Sequence, residues 1–101
     1  MSRFEKLAHV LWYCQYHIVF VPKYRYRVLT GEIKKYVHDN MLSLSDQQGC
    51  KVVELNVQAD HVHLLIKVPP KLSISHLVGV LKGKVAIRTF QRFPSLRVKK
   101  Y

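Results

Sequence analysis

Ala59-Asp60-His61-Val62-His63-Leu64-Leu65-Ile66 places two histidines at i and i+2 inside an apolar run. Successive strand side chains alternate faces, so Val62, Leu64, Ile66 and Val68 point one way and His61, His63, Leu65 and Lys67 the other. The first set can be core. The second sets two imidazoles side by side on a face that need not be packed.

The segment before it alternates too. Val53, Leu55 and Val57 share one face, and Glu54, Asn56 and Gln58 the other. If Ala59-Asp60 is a hairpin loop, Gln58 meets His61, Val57 meets Val62, Asn56 meets His63, Leu55 meets Leu64 and Val53 meets Ile66. Every apolar residue then finds an apolar partner, whereas a one-residue slip scrambles both faces. The register predicts a polar patch of Glu54, Asn56, Gln58, His61 and His63.

Further out, Tyr13 to Val21 is aromatic and β-branched and reads as a strand ended by Pro22. Thr30 can cap a helix whose stripe is Ile33, Val37, Met41 and Leu44, with Gly49 as its stop. Ser73 can cap a second helix with Ile74, Leu77, Val78, Leu81 and Val85 inward, ended at Phe93-Pro94. Leu96 to Tyr101 alternates like the start of another strand. The order β-α-β-β-α-β predicts an α+β, ferredoxin-like split-βαβ fold: an antiparallel sheet with both helices on one face. The histidine face is left uncovered.

The chain is one domain of 101 residues, 49% hydrophobic, with seventeen Lys and Arg against six Asp and Glu, a formal charge of +11. Such an excess favours a polyanionic partner, nucleic acid above all. No membrane span or signal peptide is visible, and two cysteines without a leader fit a reducing cytoplasm. In Lys23-Tyr24-Arg25-Tyr26-Arg27 cations alternate with rings, a mixture that neutralises phosphates while stacking on unpaired bases. Lys84, Arg88 and Arg92 follow at four-residue steps on the second helix, with Lys82 nearby, as a candidate phosphate-contacting edge.

Two imidazoles on one strand face lie about 6–7 Å apart at the backbone and can converge on one metal ion. Gln58, Asn56, Glu54 and Asp60 are the local candidates for a third ligand. In so basic a chain the substrate would be a phosphodiester, and a divalent ion would polarise a phosphate oxygen. The plainer alternative is a pair of half-exposed strand histidines, one bonded to Asn56 and the other to Gln58.

Tyr16-His17-Ile18-Val19-Phe20-Val21-Pro22-Lys23-Tyr24-Arg25, Ala59-Asp60-His61-Val62-His63-Leu64-Leu65, Pro69-Pro70-Lys71-Leu72-Ser73 and Leu81-Lys82-Gly83-Lys84 occur in this order. Together they resemble the single-tyrosine HUH transposases of the insertion sequence 200/605 type, from about Tyr13 onward, with His61-Val62-His63 matching the HUH motif. The resemblance implies the ferredoxin-like fold and a homodimer that cuts and rejoins single-stranded DNA near imperfect hairpins. It implies that His61 and His63 bind magnesium or manganese, and that a tyrosine attacks the phosphate to leave a 5′-phosphotyrosine. In the family that tyrosine, and a glutamine completing the metal site, lie on a helix well downstream of the HUH strand. Tyr101 comes before that helix, and Tyr13, Tyr16, Tyr24, Tyr26 and Tyr36 precede the motif, so none is assigned as nucleophile. The expectation is a transposase-like domain lacking its C-terminal part. It would bind hairpin DNA through Lys23, Tyr24, Arg25, Arg27, Lys82, Lys84 and Arg88, without cleaving it. The alternatives are a non-catalytic single-stranded DNA or RNA hairpin-binding module and a small basic structural protein.

Overall fold

The computed structural model describes residues 13–22 and 28–98. Three strands, β1 (Cys14–Phe20), β2 (Lys51–Val57) and β3 (Val62–Val68), form an antiparallel sheet in the order β1-β3-β2. Helix α1 (Gly31–Gln47) joins β1 to β2, and α2 (Ile74–Arg92) follows β3. Both helices cover the same face, giving the α+β arrangement expected from the sequence.

The core follows the binary pattern. Val62, Leu64, Ile66 and Val68 of β3 are all buried and pack with Phe20 and Val57. Val37, Met41 and Leu44 of α1 and Leu77, Leu81 and Val85 of α2 close the same cluster. Spacing of three to four residues keeps each set on one helix face, and burying such side chains contributes roughly 1.5–3 kcal/mol apiece.

The helix starts are built differently. Ser73 Oγ accepts the His76 backbone N–H at 3.3 Å, the side-chain cap expected there. Thr30 makes no such side-chain bond; only its carbonyl accepts, from the Ile33 and Lys34 amides at 3.1 and 3.2 Å. Its predicted capping role is therefore carried by the backbone alone. Gly49 ends α1 with φ of +77°, a left-handed conformation that a Cβ would strain.

The β2–β3 register is as predicted next to the loop, with Val57↔Val62, Asn56↔His63 and Leu55↔Leu64, and Gln58 N donating to His61 O at 2.8 Å. It departs further out. Val52, not Val53, faces Ile66, because a bulge between Val52 and Glu54 leaves Val53 unpaired and 49% exposed. The extra residue returns the even-numbered Val52 to the core face, which strict alternation cannot do. A second departure is at the far end: where a fourth strand is expected from Leu96 to Tyr101, Ser95–Val98 form a single helical turn, α3, and residues 99–101 lie outside the described residues. Phe93 and Pro94 reset the chain, and Leu96 N bonds back to Phe93 O at 3.1 Å.

Candidate metal and nucleic-acid site

The uncovered sheet face is a grid fixed by two registers. Val19, His63 and Asn56 lie across one row, and His17, Leu65 and Glu54 across the next. Gln15, Lys67 and Lys51 form the third row. The His61–His63 pair stands on this face because β3 buries its even-numbered residues opposite. A shallow depression of about 270 Å³ opens there, lined by His17, Glu54, Asn56, His63 and Leu65.

The loop that leads into β3 is tied down from outside. Buried Leu29 donates its N–H to Ala59 O at 2.9 Å, so the Ala59-Asp60 turn is anchored to the chain entering α1. Asp60 Oδ1 in turn accepts from His61 Nδ1 at 2.7 Å. A carboxylate only accepts, so the bond holds the His61 proton on Nδ1 and leaves Nε2 as the open nitrogen. The His61 and His63 rings meet edge to face, with centroids 4.7 Å apart.

His63 is held from the opposite strand. Its Nδ1 lies 3.2 Å from His17 Nε2, with ring centroids 5.4 Å apart. The sequence reading gave His17 no role. Its signal was present only in the pairing of β1 with β3, where the two histidines are diagonal neighbours on one face. The plainer alternative named Asn56 and Gln58 as partners of the histidines. Those two amides instead bond each other, Gln58 Nε2 donating to Asn56 Oδ1 at 2.6 Å.

Both imidazoles thus turn Nδ1 to a protein partner, leaving Nε2 of each for a ligand. That donor set suits a divalent cation whose other positions are filled by water or phosphate oxygen. Among the described residues no group of three or more His, Cys, Asp or Glu converges on a metal position.

The other predicted contacts are dispersed. Lys23, Tyr24, Arg25 and Arg27 lie outside the described residues. Lys82, Lys84 and Arg88 are on α2, behind the sheet from the histidines. Lys84 and Arg88 stand one turn apart on one flank, while Lys82 projects about 200° around the helix from Lys84. Arg88 is partly engaged, its Nη1 donating to Asn40 Oδ1 of α1 at 3.1 Å. The described tyrosines sit away from the imidazoles. Tyr13 donates to Gly49 O at 3.2 Å, Tyr16 packs against the core, and Tyr36 meets Phe93 edge-on. No helix among the described residues is long and apolar enough to cross a membrane.

Known proteins resemble this chain in sequence and in fold. The family model described as "Transposase IS200 like" matches residues 10–101. The transposase for insertion sequence element IS200 of Salmonella typhimurium is 39% identical over 95 residues, covering 94% of this chain and 62% of that relative. The ISDra2 transposase TnpA of Deinococcus radiodurans is 38% identical, over 84% of this chain and 61% of its own length. The crystal structure of a Deinococcus radiodurans protein assigned as a transposase superposes with a TM-score of 0.83 at 36% identity, over 86% of this chain and 67% of the other. The chain therefore spans a little under two thirds of the curated relatives it matches. With the family model matched over residues 10–101 and relatives 38–39% identical across most of its length, the chain belongs to the IS200-like transposase family.

Proposed function

We propose that these residues form the metal- and DNA-binding part of a transposase that acts on single-stranded DNA near hairpin ends. The observation that carries this reading is the pair His61 and His63 on one uncovered strand face, each with Nδ1 engaged. His61 and His63 would hold magnesium or manganese through Nε2. Bound there, the ion would supply Lewis-acid polarisation of a phosphate oxygen. The protein's own part is to fix both rings and to bring the nucleic acid to them. A charge of +11 draws phosphate backbone to the molecule from any direction. The basic segment at Lys23–Arg27 and the α2 cations Lys82, Lys84 and Arg88 are the proposed contacts.

These 101 residues would bind without cutting, because among the described residues Tyr13, Tyr16 and Tyr36 are all engaged away from the imidazoles. The test is to incubate the chain with a labelled DNA hairpin and manganese. Binding without a covalent protein–DNA adduct is expected; an adduct overturns the non-cleaving reading. Affinity that does not fall as salt rises from 50 to about 200 mM would remove the nucleic-acid reading as well. For the metal, calorimetry should show manganese uptake by the chain and its loss in His61→Ala; equal uptake by the two returns these histidines to a plain strand pair.

We further propose a homodimer. Among the described residues β1 and β2 each pair with β3 alone, and a second copy would satisfy an unpaired edge. Light scattering at micromolar concentration should give twice the chain mass; a monomer refutes this.

A further inference from the structure

His17 is an imidazole outside the HUH motif that nonetheless touches it. Strand β1 buries Ile18 and Phe20 toward the helices and so turns His17 outward, onto the face that carries His63. In the β1–β3 register Val19 faces His63 and His17 faces Leu65. His17 and His63 are therefore diagonal neighbours, a separation that long side chains bridge. They do so at 3.2 Å, between His17 Nε2 and His63 Nδ1.

A neutral imidazole carries its proton on one nitrogen, and the hydrogen bond it makes selects which one. On the β2 side, Asn56 stands directly across from His63, but its Oδ1 already accepts from Gln58. Asp60 is engaged with His61. His17 is the neighbour whose ring nitrogen lies within hydrogen-bond distance of His63 Nδ1.

We propose that His17 is a positioning residue for the metal site: its Nε2 accepts the Nδ1–H of His63, fixing the ring and presenting His63 Nε2 to the cation. The inference rests on the reading of His61 and His63 as metal ligands. The two ligands are then oriented by unlike groups, a carboxylate for His61 and a third histidine from another strand for His63. Partners of this kind, removed singly, typically weaken metal binding 10- to 100-fold. His17 is exposed, so replacing it leaves the core intact.

Two measurements separate this proposal from the reading beneath it. First, nitrogen-15 NMR of the metal-free chain reads the His63 tautomer. Nδ1–H is expected in the parent and in His17→Gln, whose amide oxygen can still accept, with a shift toward Nε2–H in His17→Phe. An unchanged tautomer in His17→Phe overturns the proposal whether or not metal binds. Second, manganese titration followed by electron paramagnetic resonance is expected to show at least about tenfold weaker binding for His17→Phe, with His17→Gln within about twofold of the parent. Equal affinity in all three chains overturns the proposal. Loss of an imidazole nitrogen coupling in His17→Gln also overturns it, because His17 would then be a ligand. Failure of the parent itself to take manganese defeats the metal reading, while the NMR result still decides what His17 does to His63.

Discussion

Burial pushes the Cys50 thiol above its ordinary value near 9, and the Tyr13 hydroxyl close by is raised by burial and by the Cys50 charge. A raised thiol favours the protonated form in the folded state. Its contribution to stability is therefore complete below the unfolded thiol's pKa and is lost as pH rises through the folded one. Chemical denaturation between pH 7 and 10 should show this alkaline decline, and Cys50→Ala should flatten it while lowering the neutral plateau. In thiol labelling of the native chain, exposed Cys14 should react promptly and buried Cys50 only on unfolding. Equal rates would contradict the packing around Cys50. At this same scale, the HUH pair was legible in the sequence because strand alternation alone sets His61 and His63 on one face. His17 was not, since its partner is 46 residues away and only a cross-strand register connects them.

The helices differ at their starts, and mutation should expose the difference. Ser73→Ala is expected to cost about 1 kcal/mol by removing a side-chain cap, whereas Thr30→Ala should cost no more than about a few tenths, since Thr30 caps through its carbonyl. Urea midpoints check both values. Ser45 Oγ and Thr89 Oγ1, one on each helix, are buried with no hydrogen-bond partner among the described residues. An unpaired buried hydroxyl is unfavourable, so Thr89→Val, which keeps the shape, should stabilise the chain by about 1 kcal/mol. A lower melting temperature for Thr89→Val would reveal a partner for that oxygen. The elements whose patterns run for several residues were readable: both helix stripes and the hairpin register next to its loop. Val53 misled because a bulge inserts a residue without altering composition. Leu96 to Tyr101 misled because so short an alternation does not distinguish a strand from a helical turn, and Leu96 to Val98 lie in one.

Across the whole molecule the proposed metal ligands and the α2 cations proposed to contact DNA lie on opposite sides of the sheet. The histidine grid faces outward, and Lys82, Lys84 and Arg88 ride on the helix layer behind it. The two sides should therefore be separable by mutation. His61→Ala should abolish manganese binding while leaving hairpin affinity in chelator unchanged. Lys82→Gln with Lys84→Gln should weaken hairpin binding and flatten its salt dependence by about 0.7 in log–log slope for each phosphate no longer neutralised, leaving manganese affinity alone. A cross-effect larger than about twofold in either direction would show that the α2 cations and the histidine pair do not act independently.

The central position of β3 also bears on how the chain comes together during synthesis. β2 and β3 are joined by a tight loop and can pair as soon as both exist, but among the described residues β1 pairs only with β3. Strand β1 thus keeps Val19 and its backbone groups without this sheet partner until residue 68 is available. Arrested nascent chains ending shortly after β3 should accordingly convert from protease-sensitive to protease-resistant at β1. The His17–His63 contact would form at that step, before α2 has been made to cover the opposite face of the sheet.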